Sequence, residues 1–154
     1  DRFIKFHPGN KDIAYAYYLK ALCYYEQISG VEKDQENTRL ALQALRQVIT
    51  RFPNTEYAKD ASLKLELTYD HLAGKEMEVG RYYLNQENYL SALNRFSVVV
   101  NDYQMTSHIE EALYRQVEIY TILGLKKEAG QAFRVLEYNY PKSKWTEDAR
   151  KVLK

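Results

Sequence analysis

Few residues of this 154-residue chain have the type and spacing that chemistry requires. Its three histidines, His7, His71 and His108, lie far apart and lack the spacing of metal ligands. Cys23 is the only cysteine, so no disulfide can form within the chain, and we expect its thiol to be buried in an apolar run. The sequence therefore predicts neither a metal site nor a redox centre.

Two pairs of carboxylates, Glu76 with Glu78 and Glu110 with Glu111, are the remaining candidates for acid–base catalysis. Catalysis would also need partners that the sequence lacks. There is no glycine loop for phosphate, no nucleophile elbow and no pair of histidines on one helix face. We interpret both pairs as solvated helix faces and predict that the protein is not an enzyme and takes no cofactor.

Composition excludes further classes of function. The chain carries 22 basic and 21 acidic residues, a net charge of +1, so nothing attracts it globally to nucleic acid or to an anionic membrane. No apolar run approaches the roughly 18 residues that a membrane-spanning helix needs. Hydrophobic residues make up 45% of the chain, which is enough for a core. These numbers favour a folded protein rather than a disordered one.

A recurring ending divides the chain into helix pairs. Helices are predicted to stop at Pro8, Pro53 and Pro141, because proline cannot continue a helix, and Val100–Gln104 is a degenerate copy of the same ending. The residues between these endings resemble tetratricopeptide repeats of about 34 residues, with small residues at helix contacts. The repeat positions are filled by Tyr17, Ala21, Tyr24, Ala41 and Leu45, then Gly80, Tyr83, Tyr89, Ala92 and Phe96, then Tyr120, Gly124, Ala129 and Phe133.

One long helix, from about residue 55 to 85, organises the chain. Asn54 or Thr55 can cap its start, and apolar or small residues then recur at helical spacing without a proline. The 17 extra residues of this repeat, Glu56 to Leu72, extend the helix at its amino-terminal end. We therefore predict an all-α solenoid of antiparallel helix pairs with one fused helix, in which Ala92 and Ala129 are buried.

We interpret residues 1–154 as a single tetratricopeptide-repeat domain that is truncated at its amino-terminal end. Its repeats cover about 14–55, 56–106 and 110–143, and a partial repeat covers 145–154. Shorter inserts fall within Ile28 to Asn37, which we expect to hold a polar loop, and at Ser107 to Ile109.

In the order of its motifs and inserts, the chain resembles the BamD family of lipoproteins from the outer-membrane β-barrel assembly machine. The resemblance covers nearly the whole chain and is carried by Asp1–Ile4, Pro8, Tyr15, Tyr18, Leu22, Arg51–Tyr57, Asp60–Ala61, Leu72–Ala73, Glu76, Tyr82–Tyr83, Ala92, Asn94–Arg95, Asp102–Tyr103 and Glu111–Ala112. It implies a scaffold on the periplasmic side of the outer membrane, held by a lipid anchor that is absent from this fragment.

The resemblance also implies partners and a docking surface. The partners are a POTRA domain of the barrel-assembly protein, other assembly-machine lipoproteins and unfolded segments of outer-membrane proteins. In the family, an arginine matching Arg95 lies in the POTRA contact. The repeat register turns Ala92, Phe96 and Val99 inward. The residues that it leaves outward, and that we predict to face the POTRA domain, are Ser91, Asn94, Arg95 and Val98.

A second candidate surface is the concave side, which first helices line in such repeats. In the first copy it consists of Tyr15, Tyr18, Leu22 and Tyr25, an aromatic set suited to an extended apolar peptide. The alternative is that missing amino-terminal repeats cover these tyrosines. The later copies place Met77, Arg81, Leu84, Asn85, Glu111, Tyr114, Glu118 and Thr121 on this side.

Two other functions stay open at this point. One is a periplasmic tetratricopeptide adaptor of another envelope system, of the Tol–Pal coordinator type, from which the fused helix and the insert within Ile28 to Asn37 would not be expected. The other is a cytoplasmic regulator that binds peptide signals.

Overall fold

The computed structural model describes residues 1–29 and 35–154. Within these ranges the chain forms eight α-helices and no β-strand, which confirms the predicted all-α fold of tetratricopeptide type. The helices are α1 (Arg2–Phe6), α2 (Ile13–Ser29), α3 (Gln35–Arg51), α4 (Glu56–Asn85), α5 (Tyr89–Asp102), α6 (Ile109–Ile122), α7 (Lys126–Asn139) and α8 (Lys144–Val152).

Residues Asp1–Thr68 form one compact unit, in which α2 packs along α3. Its core contains small residues where helices come close, including Ala21 and Ala61, which are both fully buried. Tyr17 is buried beside them, and its hydroxyl accepts a 2.8 Å hydrogen bond from Nη1 of Arg51. Large aromatic rings thus fill the space that alanines leave between the helices.

Residues Tyr69–Lys154 form the second compact unit. Here α6 packs against α5, α7 and α8. Ala92, Phe96 and Val99 of α5 are fully buried, as predicted, and so is Ala129 of α7. The repeat register thus placed these four residues correctly.

The predicted long helix is confirmed as α4, which runs unbroken for 30 residues. The Thr55 hydroxyl caps its start by accepting a 3.2 Å hydrogen bond from the Ala58 amide. Gly74 lies within this helix, where glycine costs helical stability. The imidazole of His108 lies against it, and a Cβ at residue 74 would be 3.2 Å from the imidazole Nε2. The glycine provides room for this contact.

The three extra residues before α6 attach its amino terminus to α4. The backbone amide and hydroxyl of Ser107 donate to Oδ1 of Asp70 at 3.1 and 2.7 Å, and Ile109 is buried. The Ser107 hydroxyl bond is the main reason why the pKa of Asp70 is lowered. A carboxylate of α4 thus holds the residue that precedes the N-cap of α6.

Local backbone geometry and a side-chain cap explain the turn at Gly124 and the start of α8. Gly124 adopts a φ of +76° between α6 and α7, a conformation that favours glycine. At α8, the predicted partial repeat, the Ser143 hydroxyl accepts a 3.2 Å hydrogen bond from the Trp145 amide.

The insert predicted within Ile28 to Asn37 is helical at both ends, since α2 reaches Ser29 and α3 begins at Gln35. Residues 30–34 lie outside the described residues.

Candidate docking surface

The structure brings the four predicted docking residues together. Ser91, Asn94, Arg95 and Val98 line one depression of about 250 Å³ on α5, with Tyr83 of α4 as the fifth lining residue. The helical period explains this grouping. Ala92, Phe96 and Val99 are directed into the core, so the four lining residues of α5 lie on its other side. The predicted set is therefore a contiguous surface. Whether a partner binds there stays a prediction.

Arg95 is the one cation of this depression. Its side chain is 45% exposed, and its Nη1 donates to Oε2 of Glu76 on α4 at 3.2 Å. The interpretation of Glu76 as part of a solvated face was wrong, since its side chain is only 25% exposed and is paired. The guanidinium makes no second ion pair with the described residues. Glu76 thus uses only part of a guanidinium that carries five N–H donors.

Tyr83 is the lining residue that sequence reasoning did not assign to this surface. The sequence pattern gave it only a packing position in the repeat. In the structure it is half-buried, and its ring lies 5.7 Å from that of the exposed Tyr82. Its place next to α5 depends on how α4 and α5 pack, which no local pattern reveals.

The predicted concave set on α2 faces the first part of α4. The rings of Tyr15 and Tyr18 lie 5.5 and 5.2 Å from that of Tyr57. The Tyr18 hydroxyl donates a short hydrogen bond to Asp60, and this bond, more than burial, raises the pKa of Tyr18 to about 12. The pKa of Asp60 is lowered, first by its hydrogen bond from Lys64. Part of this aromatic surface is thus used inside the fold.

The other two members of the set are also partly covered. The Lys64 ammonium lies 5.5 Å from the centre of the Tyr25 ring, and Leu22 is half-buried. Tyr15 alone of the four is exposed, at 46%. Three of the four residues are thus partly covered within the first unit. Their role in binding an extended peptide stays a prediction.

An apolar cleft that the sequence did not indicate lies along α2 and shares Tyr15 with this set. It has a volume of about 810 Å³, and Phe3, Ile4, Tyr15, Leu19 and Cys23 are among the residues that line it. The prediction that Cys23 is buried was therefore wrong, since its side chain is exposed. The spacing of four between residues 15, 19 and 23 is the signal that could have revealed this stripe.

An ion-pair network links α4 to α6 in the second unit. Arg81 donates from Nε and Nη2 to the two carboxylate oxygens of Glu111, at 3.0 and 2.7 Å. Arg115 contacts Glu111 and Glu118 as well. The bond from Arg81 is the main reason why the pKa of Glu111 is lowered. Met77, predicted on the concave side, is fully buried instead.

The second predicted carboxylate pair is thus not a solvated face either. Glu111 has a side chain only 13% exposed, and the neighbouring Glu110 is half-buried and accepts a short hydrogen bond from the Ser143 hydroxyl. Both carboxylates stabilise packing between helices. Of the four acidic residues in the two pairs, Glu78 is the exposed one.

Among the described residues, no group of three or more histidine, cysteine or carboxylate side chains could hold a metal ion. In the same part of the chain, no helix is long and apolar enough to cross a membrane.

Comparison with known proteins identifies close relatives. Residues 1–132 match the profile of the YfiO family, described as an outer membrane lipoprotein. The chain is similar to two proteins named outer membrane protein assembly factor BamD. It is 56% identical to that of Rickettsia prowazekii over 99% of this chain and 61% of the relative. The identity to that of Caulobacter vibrioides is 52%, over 99% of this chain and 50% of the relative.

A more distant relative bears the same name. The BamD of Neisseria meningitidis serogroup A is 35% identical over 93% of this chain and 57% of its own length. The chain thus spans between half and about three-fifths of the length of these curated relatives.

Proposed function

The chain belongs to the BamD family of outer membrane lipoproteins, and from that premise we propose that it is a non-enzymatic scaffold of the machine that assembles β-barrel proteins. In this proposal it works on the periplasmic side of the outer membrane, where a lipid anchor holds the full-length protein. Its role is to hold assembly subunits together through exposed helix faces, which is the usual task of helical repeats.

The partner that we propose for the depression on α5 is a POTRA domain of the barrel-assembly protein. The observation that carries this proposal is the placement of Arg95 in a depression with Ser91, Asn94 and Val98. A half-exposed arginine beside small polar groups and an apolar wall suits a protein partner with an acidic residue. Its planar guanidinium can hold a carboxylate through two hydrogen bonds.

The chemistry of this surface supports recognition of one acidic side chain rather than of a broad charged face. Arg95 supplies the charge, Asn94 and Ser91 can donate or accept hydrogen bonds, and Val98 adds apolar contact. Interfaces commonly concentrate their binding energy in a few such residues, and arginine is prominent among them. We therefore expect Arg95 to dominate the affinity.

Isothermal titration of this chain with the cognate POTRA domain tests the proposal. Arg95→Glu should weaken binding by about 2–5 kcal/mol, since it breaks a desolvated charge pair and places two acids together. Arg134→Glu is the matched control, because Arg134 is an exposed arginine on α7 that is not part of the depression. Equal affinities for the parent and for Arg95→Glu would reject this surface as the dock.

The alternative of a Tol–Pal type adaptor has no comparable support. The fused helix, which would not be expected in a Tol–Pal type adaptor, is present as α4. The relatives described above are named as BamD assembly factors. The barrel-assembly function is therefore the one that we propose.

A further inference from the structure

We propose that Glu76 is an internal competitor at the docking surface: its carboxylate holds one side of the Arg95 guanidinium and weakens the binding of the partner's acidic group. This inference rests on the proposed function, because it concerns how the same arginine is shared. It assigns to Glu76 a part in setting the affinity and reversibility of docking.

The geometry shows how the arginine is shared. Glu76 reaches from α4 to α5 and accepts one hydrogen bond, 3.2 Å from Nη1 of Arg95. The contact is not the two-bond fork that a carboxylate and a guanidinium can form. The Nε and Nη2 edge of Arg95 has no partner among the described residues, so a second carboxylate can bind there while Glu76 stays in place.

Glu76 has two opposite effects on such a partner. It orients the guanidinium, which favours binding, and it repels an incoming carboxylate, which opposes binding. The orienting effect is small, since a half-exposed ion pair with a single bond contributes little. The repulsion acts between two like charges only a few ångströms apart at a partly desolvated contact, where screening is weak.

The Glu76 charge also cancels that of Arg95 at longer range. The ion pair is neutral, so the depression offers a partner little electrostatic attraction before contact. Glu76 acts on other groups as well: the pKa of Tyr103 is raised by burial first, and then by the negative charges of Glu76 and Asp102. Repulsion therefore outweighs orientation, and Glu76 makes docking weaker than Arg95 alone would allow.

Glu76→Gln tests this inference, because glutamine keeps the shape and the hydrogen-bond acceptor but removes the charge. Titration with the cognate POTRA domain should show binding that is about threefold to tenfold tighter, with a smaller gain at high salt. Glu78→Gln is the control. It removes one negative charge from an exposed position of the same helix and should change the affinity by less than about twofold.

A double-mutant cycle shows whether the effect of Glu76 on the affinity depends on Arg95. In an Arg95→Gln background, Glu76→Gln should change the affinity less than it does in the parent, since the partner's carboxylate is no longer held next to Glu76. If Glu76→Gln binds the POTRA domain no more tightly than the parent while Arg95→Glu still disrupts binding, the competitor inference is wrong and the proposed function stands. If Arg95→Glu binds like the parent, the proposed function fails and the inference fails with it.

Discussion

Gly80 of α4 lies directly against the ring of Phe96 on α5. A Cβ at residue 80 would be 2.6 Å from Cε1 of that ring, a distance that real contacts do not reach. The Phe96 ring is fully buried and cannot move into solvent. The glycine is therefore required by the close approach of the two helices that line the depression.

Gly80→Ala should destabilise the protein, although alanine is the better helix former. The clash should cost about 1–3 kcal/mol, as overpacking of a core does. Gly130→Ala is the control, because a Cβ at this position of α7 meets nothing within 4 Å. It should stabilise by up to about 1 kcal/mol. Chemical denaturation measures both changes, and a stabilised Gly80→Ala protein would contradict the packing described here.

Ala92→Leu tests the same interface from α5. Ala92 is fully buried at the helix contact, so the larger side chain should destabilise by about 1–3 kcal/mol. Asn101→Leu adds the same side chain at an exposed position of α5 and should change stability by less than about 0.5 kcal/mol. An Ala92→Leu protein that melts at the parent temperature would show that the helix contact is placed wrongly.

Local patterns predicted the fold because they report on single helices and their repeats. Thr55 could be recognised as a cap from its place before a helical period, and the absence of proline up to Asn85 predicted one long helix. Ala92 and Phe96 were placed in the core by the repeat register. These features depend on residues close together in sequence.

The contacts of the candidate site could not be predicted from local sequence patterns. Arg95 and Glu76 are 19 residues apart, and Arg81 and Glu111 are 30 apart, so their pairing depends on the rotation of one helix against another. The exposure of Cys23 depends in the same way on which face of α2 meets α3. A single sequence carries no local signal for the two ion pairs, and the spacing of residues 15, 19 and 23 marks a stripe on α2 without showing whether it is exposed.

Glu111→Gln should destabilise the protein by about 1–2 kcal/mol at pH 7, because a two-bond ion pair with Arg81 is lost. The value is modest since Arg81 is 41% exposed and screened by solvent. The folded-state pKa of Glu111 is lowered, so its stabilisation is present above the unfolded value of about 4.3 and is lost as the pH falls through the folded pKa.

Thermal unfolding at pH 7 and pH 3 checks this dependence. The difference in Tm between the parent and Glu111→Gln should shrink at the lower pH. Glu147→Gln breaks an ion pair on α8 whose glutamate is 66% exposed, and it should change the stability at pH 7 by less than about 1 kcal/mol. A difference for Glu111→Gln that stays constant between the two pH values would mean that the lost ion pair is not its cause.

The central claim, that Arg95 docks an acidic residue of a POTRA domain, is tested most directly by a charge exchange. Each acidic residue on the surface of the cognate POTRA domain is changed in turn to arginine and titrated against the parent chain and against Arg95→Glu. We expect one acidic position whose change weakens binding to the parent and restores binding to Arg95→Glu, because the two charges face each other there. Weakening of both complexes by every such change, with no restoration at any position, would contradict it.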